Sequence, residues 1–262
     1  MTIDRRMPVV FVGHGSPMNA IEDNRFHQSW AALGKSLPRP RAVLCVSAHW
    51  ETRGVYLTGA NHPETIHDFY GFPAALFAVQ YAAPGAPELA RQVVQLLDDP
   101  HARVDAGRGF DHGMWSVLRV MYPSADIPTI QLSLDTQRSG HAHYALAQKL
   151  APLREQGVLV LASGNIVHNL GLFRFHSQEQ PAWALRFHDQ VNTLIAHRDH
   201  AALCDYRSLG ADADLAIPTA EHFIPLLYAL ALQRDDDDVR LFNDDVFSAM
   251  SMTSLIITNT SS

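Results

Sequence analysis

Short, uninterrupted apolar runs rich in Val, separated by stretches of helical spacing, restrict this chain more than any other feature. Pro8 to Val12, Ala42 to Val46, Ile127 to Leu132 and Val158 to Leu161 lack polar alternation. Each therefore reads as a strand covered on both faces, as in a parallel sheet between helical layers. Helices are predicted between them. Asn24 to Leu33 places Phe26, Trp30 and Leu33 at i, i+4, i+7, and Pro87 to Leu97 starts with Pro in the favoured first turn and groups Leu89, Val93, Leu96 and Leu97 on one face. His143 to Glu155 runs up to the stop signal Gly157, and Trp183 to Ile195 carries Phe187, Val191, Leu194 and Ile195 at helical spacing. Val239 to Phe242 and Ser254 to Thr258 read as late strands. The expected fold is a single-domain α/β three-layer sandwich over residues 1–262, with a mixed, mostly parallel sheet and helices on both faces. Arg198 to Pro218 lacks periodicity and reads as a surface loop; Asp235 to Asp238 reads as a solvated turn.

With 262 residues, 47% of them hydrophobic, the chain can bury one sizeable core. Its formal charge of −7 and the lack of a basic stripe argue against nucleic-acid binding, so the partner is expected to be a small molecule. Cys45 and Cys204 are too few for a disulfide framework. No apolar run approaches the roughly 20 residues of a membrane span, and the run before Gly13 is too short for a signal-peptide core. A cytoplasmic location without membrane contact is the expectation.

Four of the 15 histidines stand where an α/β scaffold places ligands. His14 follows the first strand by two residues, His49 the second by three and His168 the fourth by seven, with Gly13, Gly15 and Gly164 freeing the turns. His222 falls in the first turn of a helix for which Thr219 is the cap. Neutral imidazole is a common ligand of zinc, copper and non-haem iron, so this placement implies one metal site. His27, His62, His101, His141, His143, His176, His188, His197 and His200 sit in polar or helical contexts and read as ordinary surface or core residues.

Seven segments together resemble a known family: GHGSPMNAIEDN (13–24), SAHW (47–50), TIHDFYGFP (65–73), GFDHGMWSVL (109–118), PTIQLSLD (128–135), SGNIVHNL (163–170) and PTAEHFIPLLYAL (218–230). Their order and content are similar to the DODA-type extradiol aromatic ring-opening dioxygenases of the LigB-like class III group. The resemblance implies that His14, His49 and His222 hold one divalent metal. It makes His168 the acid/base residue, and a fourth ligand in a resting zinc form. It makes His112 a second active-site histidine facing the catechol oxygen or dioxygen, with Asp111 behind it. Zinc is expected in isolated protein and ferrous iron for cleavage of a catechol such as L-DOPA by O2. Three neutral histidines also resemble the zinc sites of hydrolases, so a zinc-dependent hydrolase or amidase, or a non-catalytic metal-binding protein, stays open. Glu22, Asp23, Asp111 and Glu221 are the carboxylates nearest the ligands in sequence and the expected partners for orienting imidazoles. His67 and Asp68 carry no assigned role, and Phe69, Tyr70 and Phe72 read as loop packing.

Overall fold

The computed structural model describes residues 6–174, 177 and 179–259; His176 lies outside them. Its strands are β1 (Val9–Gly13), β2 (Ala42–Thr52), β3 (Val55–Thr58), β4 (Ala102–Asp105), β5 (Thr129–Asp135), β6 (Val158–Gly164), β7 (Asp237–Phe242), β8 (Val246–Phe247), β9 (Met250–Ser251) and β10 (Ser254–Asn259). The α-helices among the described residues are α1 (Arg25–Ser36), α2 (Ala74–Phe77), α3 (Pro87–Leu97), α4 (His112–Met121), α5 (Gly140–Gln148), α6 (Pro152–Glu155), α7 (Ala182–Ala196), α8 (His200–Cys204), α9 (Ala211–Ala216) and α10 (Ile224–Leu230).

Eight strands form one sheet in the order β4-β3-β5-β2-β6-β1-β10-β7. The centre, β5-β2-β6-β1, is parallel. Antiparallel pairings then join β3 to β5 and β10 to β1. Along each central strand, alternate residues enter opposite cores: Val9, Phe11, Leu44, Val46, Val158 and Val160 face one layer, and Val10, Val12, Val43, Cys45, Leu159 and Leu161 face the other. The first layer is closed by α3, α5, α7 and α10, the second by α1 and α4. The expected three-layer α/β sandwich is therefore the observed one, and the carboxyl ends of β1, β2 and β6 come together at one edge.

Several local expectations need correction. The 198–218 stretch is not a plain loop but holds α8, a 3-10 turn and α9. These helices are five and six residues long, too short for a 3.6-residue period to register. The helix expected from His143 to Glu155 is two helices, α5 and α6, the second opened by Pro152. The four-aspartate run is not wholly a solvated turn. Asp237 is fully buried at the start of β7, where its carboxylate pairs with Arg154 at 2.5 Å and Arg6 at 3.0 Å.

Arg154, also fully buried, donates to the Met7 and Leu232 carbonyls as well, so one guanidinium ties α6 to the segments before β1 and after α10. Burial pulls the Asp237 carboxyl up, but its bonds from Arg154 and the Arg234 amide outweigh this and hold it below the usual range. Arg154→Met should strand that charge and cost about 3–5 kcal/mol in urea unfolding at neutral pH; a loss under ~1 kcal/mol would mean that Arg6 alone compensates it. Because the folded carboxyl titrates low, its stabilising contribution is present above its unfolded pKa and disappears as pH falls through the folded one.

Candidate metal centre

Each site histidine is placed by a distinct local device. His14 follows β1, and its amide donates to the Gly164 carbonyl, which joins the ends of two adjacent parallel strands. β2 does not end at Val46 but continues to Thr52, so His49 lies within a strand. Its pairing with β5 slips between Val46 and Glu51. Such irregularities re-aim side chains beside active sites, and the polar residues Ser47 and His49 are what hid the continuation. His168 sits four residues beyond the true end of β6, held by its amide to the Ala216 carbonyl at the end of α9. His222 precedes α10 rather than occupying its first turn. Phe223 stands at the cap without a side-chain bond, and the Thr219 hydroxyl donates to Glu221 instead. Pro225 does sit in the first turn.

Two glycines let these segments meet. A Cβ at Gly164 would lie 2.1 Å from the His222 carbonyl oxygen, and one at Gly113 would lie 2.8 Å from Cδ2 of His49. Both positions thus need the missing side chain.

The result is five imidazoles in one cluster. Nε2 of His14 and Nε2 of His49 stand 3.0 Å apart. The His222 ring centre lies 5.3 Å from that of His14 and 5.0 Å from that of His49. His168 stacks on His222 at 3.4 Å with the planes 8° apart, and His112 lies 3.9 Å from His49. His14, His49 and His112 offer ligand atoms within 4.8 Å of one another, as do His168, Glu221 and His222.

Hydrogen bonds settle most of the tautomers. Ser163 donates its hydroxyl proton to the Gly113 carbonyl at 2.6 Å, so it accepts from Nδ1 of His14 at 3.0 Å and leaves Nε2 of His14 as a lone pair. Glu221 accepts from Nδ1 of His222 at 3.0 Å with the same consequence. Asp68 accepts from both the amide and Nδ1 of His112, at 3.0 and 2.9 Å. Burial, followed by the neighbouring imidazoles, pushes His14, His49 and His222 well below the ordinary histidine range, and burial brings His168 to about 4. All four rings are neutral near pH 7, the form that binds metal. The Nε2 lone pairs of His14 and His222, with their far nitrogens bonded outward, suit a divalent ion. Nitrogens 3.0 Å apart can both reach an ion at roughly 2.1 Å.

Asp68 was missed as a partner because it is 44 residues from His112 in sequence and sits in an aromatic loop. Burial raises its carboxyl, but the bonds from His112 prevail and hold it at about 2. A carboxylate there fixes the His112 proton on Nδ1, so a neutral His112 presents Nε2 as an acceptor. Asp111 is not that partner. It caps α4 through Met114 and is buried among Ser47, Gln131 and Arg108, locking the irregular part of β2 to the helix start. Of the other expected carboxylates, Glu221 does orient an imidazole, whereas Asp23 accepts from Gln28 and Glu22 contacts no imidazole among the described residues. His67 fastens its loop through the Val79 carbonyl, and Phe69 packs on His112, Phe72 and Trp115, while Tyr70 is exposed. His143 and His188 are buried and satisfied, by Tyr228 and by Asp244 with Thr253.

Residues 7–257 match the family model described as the catalytic LigB subunit of aromatic ring-opening dioxygenase. The chain belongs to this family. It is 46% identical over 230 residues to a 4,5-DOPA dioxygenase extradiol of Escherichia coli, covering 86% of this chain and 84% of that one. A Beta vulgaris protein of the same name is 37% identical, with 89% and 90% covered. The crystal structure of an uncharacterized Escherichia coli protein superposes with a TM-score of 0.84 at 38% identity, covering 96% of this chain and 99% of that one. Within the LigB family the chain is thus an extradiol dioxygenase of the DODA type.

Proposed function

We propose that the chain opens a catechol ring with O2 at one divalent ion held by His14, His49 and His222, and that the physiological substrate resembles L-DOPA, cleaved at the 4,5 bond. The observation that supports this most directly is the cluster of neutral imidazoles in which Nε2 of His14 and His49 stand 3.0 Å apart and the outer nitrogens of His14 and His222 are bonded away from the centre. Ferrous iron would supply the electron transfer between catecholate and dioxygen, which zinc has no redox chemistry to provide.

The protein's own groups then handle the protons. Neither ring nitrogen of His168 has a hydrogen-bond partner among the described residues, and burial keeps the ring neutral. It takes a proton from a catechol hydroxyl and returns it as the ring opens. His112, held by Asp68, offers Nε2 to the other hydroxyl. Ser163 and Glu221 keep the ligand rings from turning, and Phe69 and Trp115 exclude water from the His112 side. The two cysteines are free and buried, which accords with a reducing, cytoplasmic setting. Among the described residues no helix is long and apolar enough to cross a membrane.

Protein reconstituted anaerobically with ferrous iron should consume O2 one-to-one with L-DOPA or a related 4-substituted catechol and release a yellow semialdehyde. The zinc form should not. Oxygen-electrode traces with product spectra for DOPA, catechol, protocatechuate and caffeate check this; no uptake with any of them after verified iron loading would return the site to hydrolase chemistry.

A further inference from the structure

A cavity of about 280 Å³ lies between the carboxyl ends of β2 and β5, the start of α5 and the turn before α10, and meets the histidine cluster at Glu221. Glu221 belongs to both places, since it lines the cavity and accepts from His222. Most polar groups in its wall are already committed. Arg138 is paired with Asp99 and Asp135, and His143 is kept neutral by burial and bonded to the Tyr228 hydroxyl.

Two opposite charges are left over. The Arg207 guanidinium lies over the Tyr206 ring, 5.5 Å from its centre, and has no carboxylate partner among the described residues. Glu51, two residues beyond His49 on β2, has no cationic partner among them either. Both side chains are exposed, so neither contributes to the core, and the proton handling described above uses neither. A cavity of fragment size that presents one uncommitted cation and one uncommitted carboxylate is complementary to a small group bearing both charges.

We propose that Arg207 and Glu51 select the substrate's side chain: the guanidinium takes the carboxylate and Glu51 the ammonium of an α-amino acid carried by the catechol ring. This rests on the ring-cleavage reading for the ring itself. Arg suits the carboxylate because its planar fork donates two parallel hydrogen bonds.

The test compares kcat/KM on iron-loaded protein for L-DOPA, dihydroxyphenylpropionate, dopamine and 4-methylcatechol. Arg207→Gln should lower the preference for DOPA and for dihydroxyphenylpropionate over 4-methylcatechol by about tenfold, the scale of one charged hydrogen bond. It should leave the preference for dopamine over 4-methylcatechol in place. Glu51→Gln should do the reverse, lowering the preference for DOPA and dopamine but not for the propionate. Arg207→Lys should restore part of the loss. Preference ratios that do not move, or that fall equally for all three charged substrates, overturn the assignment. Calorimetric titration with L-phenylalanine separates this from failure of the ring-cleavage reading. If wild type cleaves no catechol yet binds phenylalanine, and both variants bind it at least tenfold more weakly, the subsite stands without that chemistry; no binding to wild type, or equal binding to all three proteins, removes it.

Discussion

His14→Ala, His49→Ala and His222→Ala should each leave purified protein with little bound metal, while His112→Ala should retain it. For a site worth on the order of 10 kcal/mol, loss of one ligand in three removes about 3 kcal/mol, or more than ~100-fold in affinity. That is enough to empty the site during desalting. The comparison with His112 matters because distance alone favours His112 as the third ligand. His112 joins His14 and His49 within 4.8 Å, whereas His222 is grouped with His168 and Glu221. Both rings also have a carboxylate on Nδ1. The proposal takes His222 from the sequence resemblance, and elemental analysis of the four variants decides the matter. Metal lost from His112→Ala but kept in His222→Ala would exchange the two roles.

The central sheet was legible because its strands are buried on both faces and so read as continuous apolar runs. β1, β2, β5 and β6 all answer to that pattern. The short outer strands β3 and β4 were not, being four residues each, and β4 is exposed at Arg103 and Val104. In the same way α8 and α9 carry too few residues for periodicity to show. The burial of Asp237 is hidden from the sequence for a different reason. Nothing local distinguishes the buried member of a run of four aspartates, because its partner Arg154 is 83 residues away in sequence.

The site shows the same division between local and distant information. His14, His49, His168 and His222 stand out through their positions at strand ends or a helix start, and the resemblance supplies His112 and the role of each. Their orienting groups are another matter. Glu221 is adjacent to its histidine, so its role can be anticipated, but Ser163 reaches His14 across 149 positions and Asp68 reaches His112 across 44. Those pairings exist only once β1 lies beside β6 and the aromatic loop folds over α4. The substitution of Asp68 for Asp111 as the carboxylate on His112 follows from the same fact. An aspartate just before a helix is claimed by the helix amides, which leaves the ring to a residue from another segment.

His168→Gln is expected to keep its metal and still bind catechol, yet lose turnover by roughly 10²–10⁴-fold, the usual contribution of a positioned acid/base. Glutamine preserves a polar side chain of similar reach but cannot accept and return a proton. The surrounding backbone does not depend on the ring, since the segment is held by the His168 amide to Ala216 and the Asn169 amide to Ala249. The stack on His222 is the complication, because a ring 3.4 Å away supports the orientation of a proposed ligand. Metal content and catechol affinity must therefore be measured beside kcat. Retained metal and affinity with collapsed turnover assign His168 to proton transfer. Metal lost in parallel with activity would make it a fourth ligand, and full activity would move the base to His112.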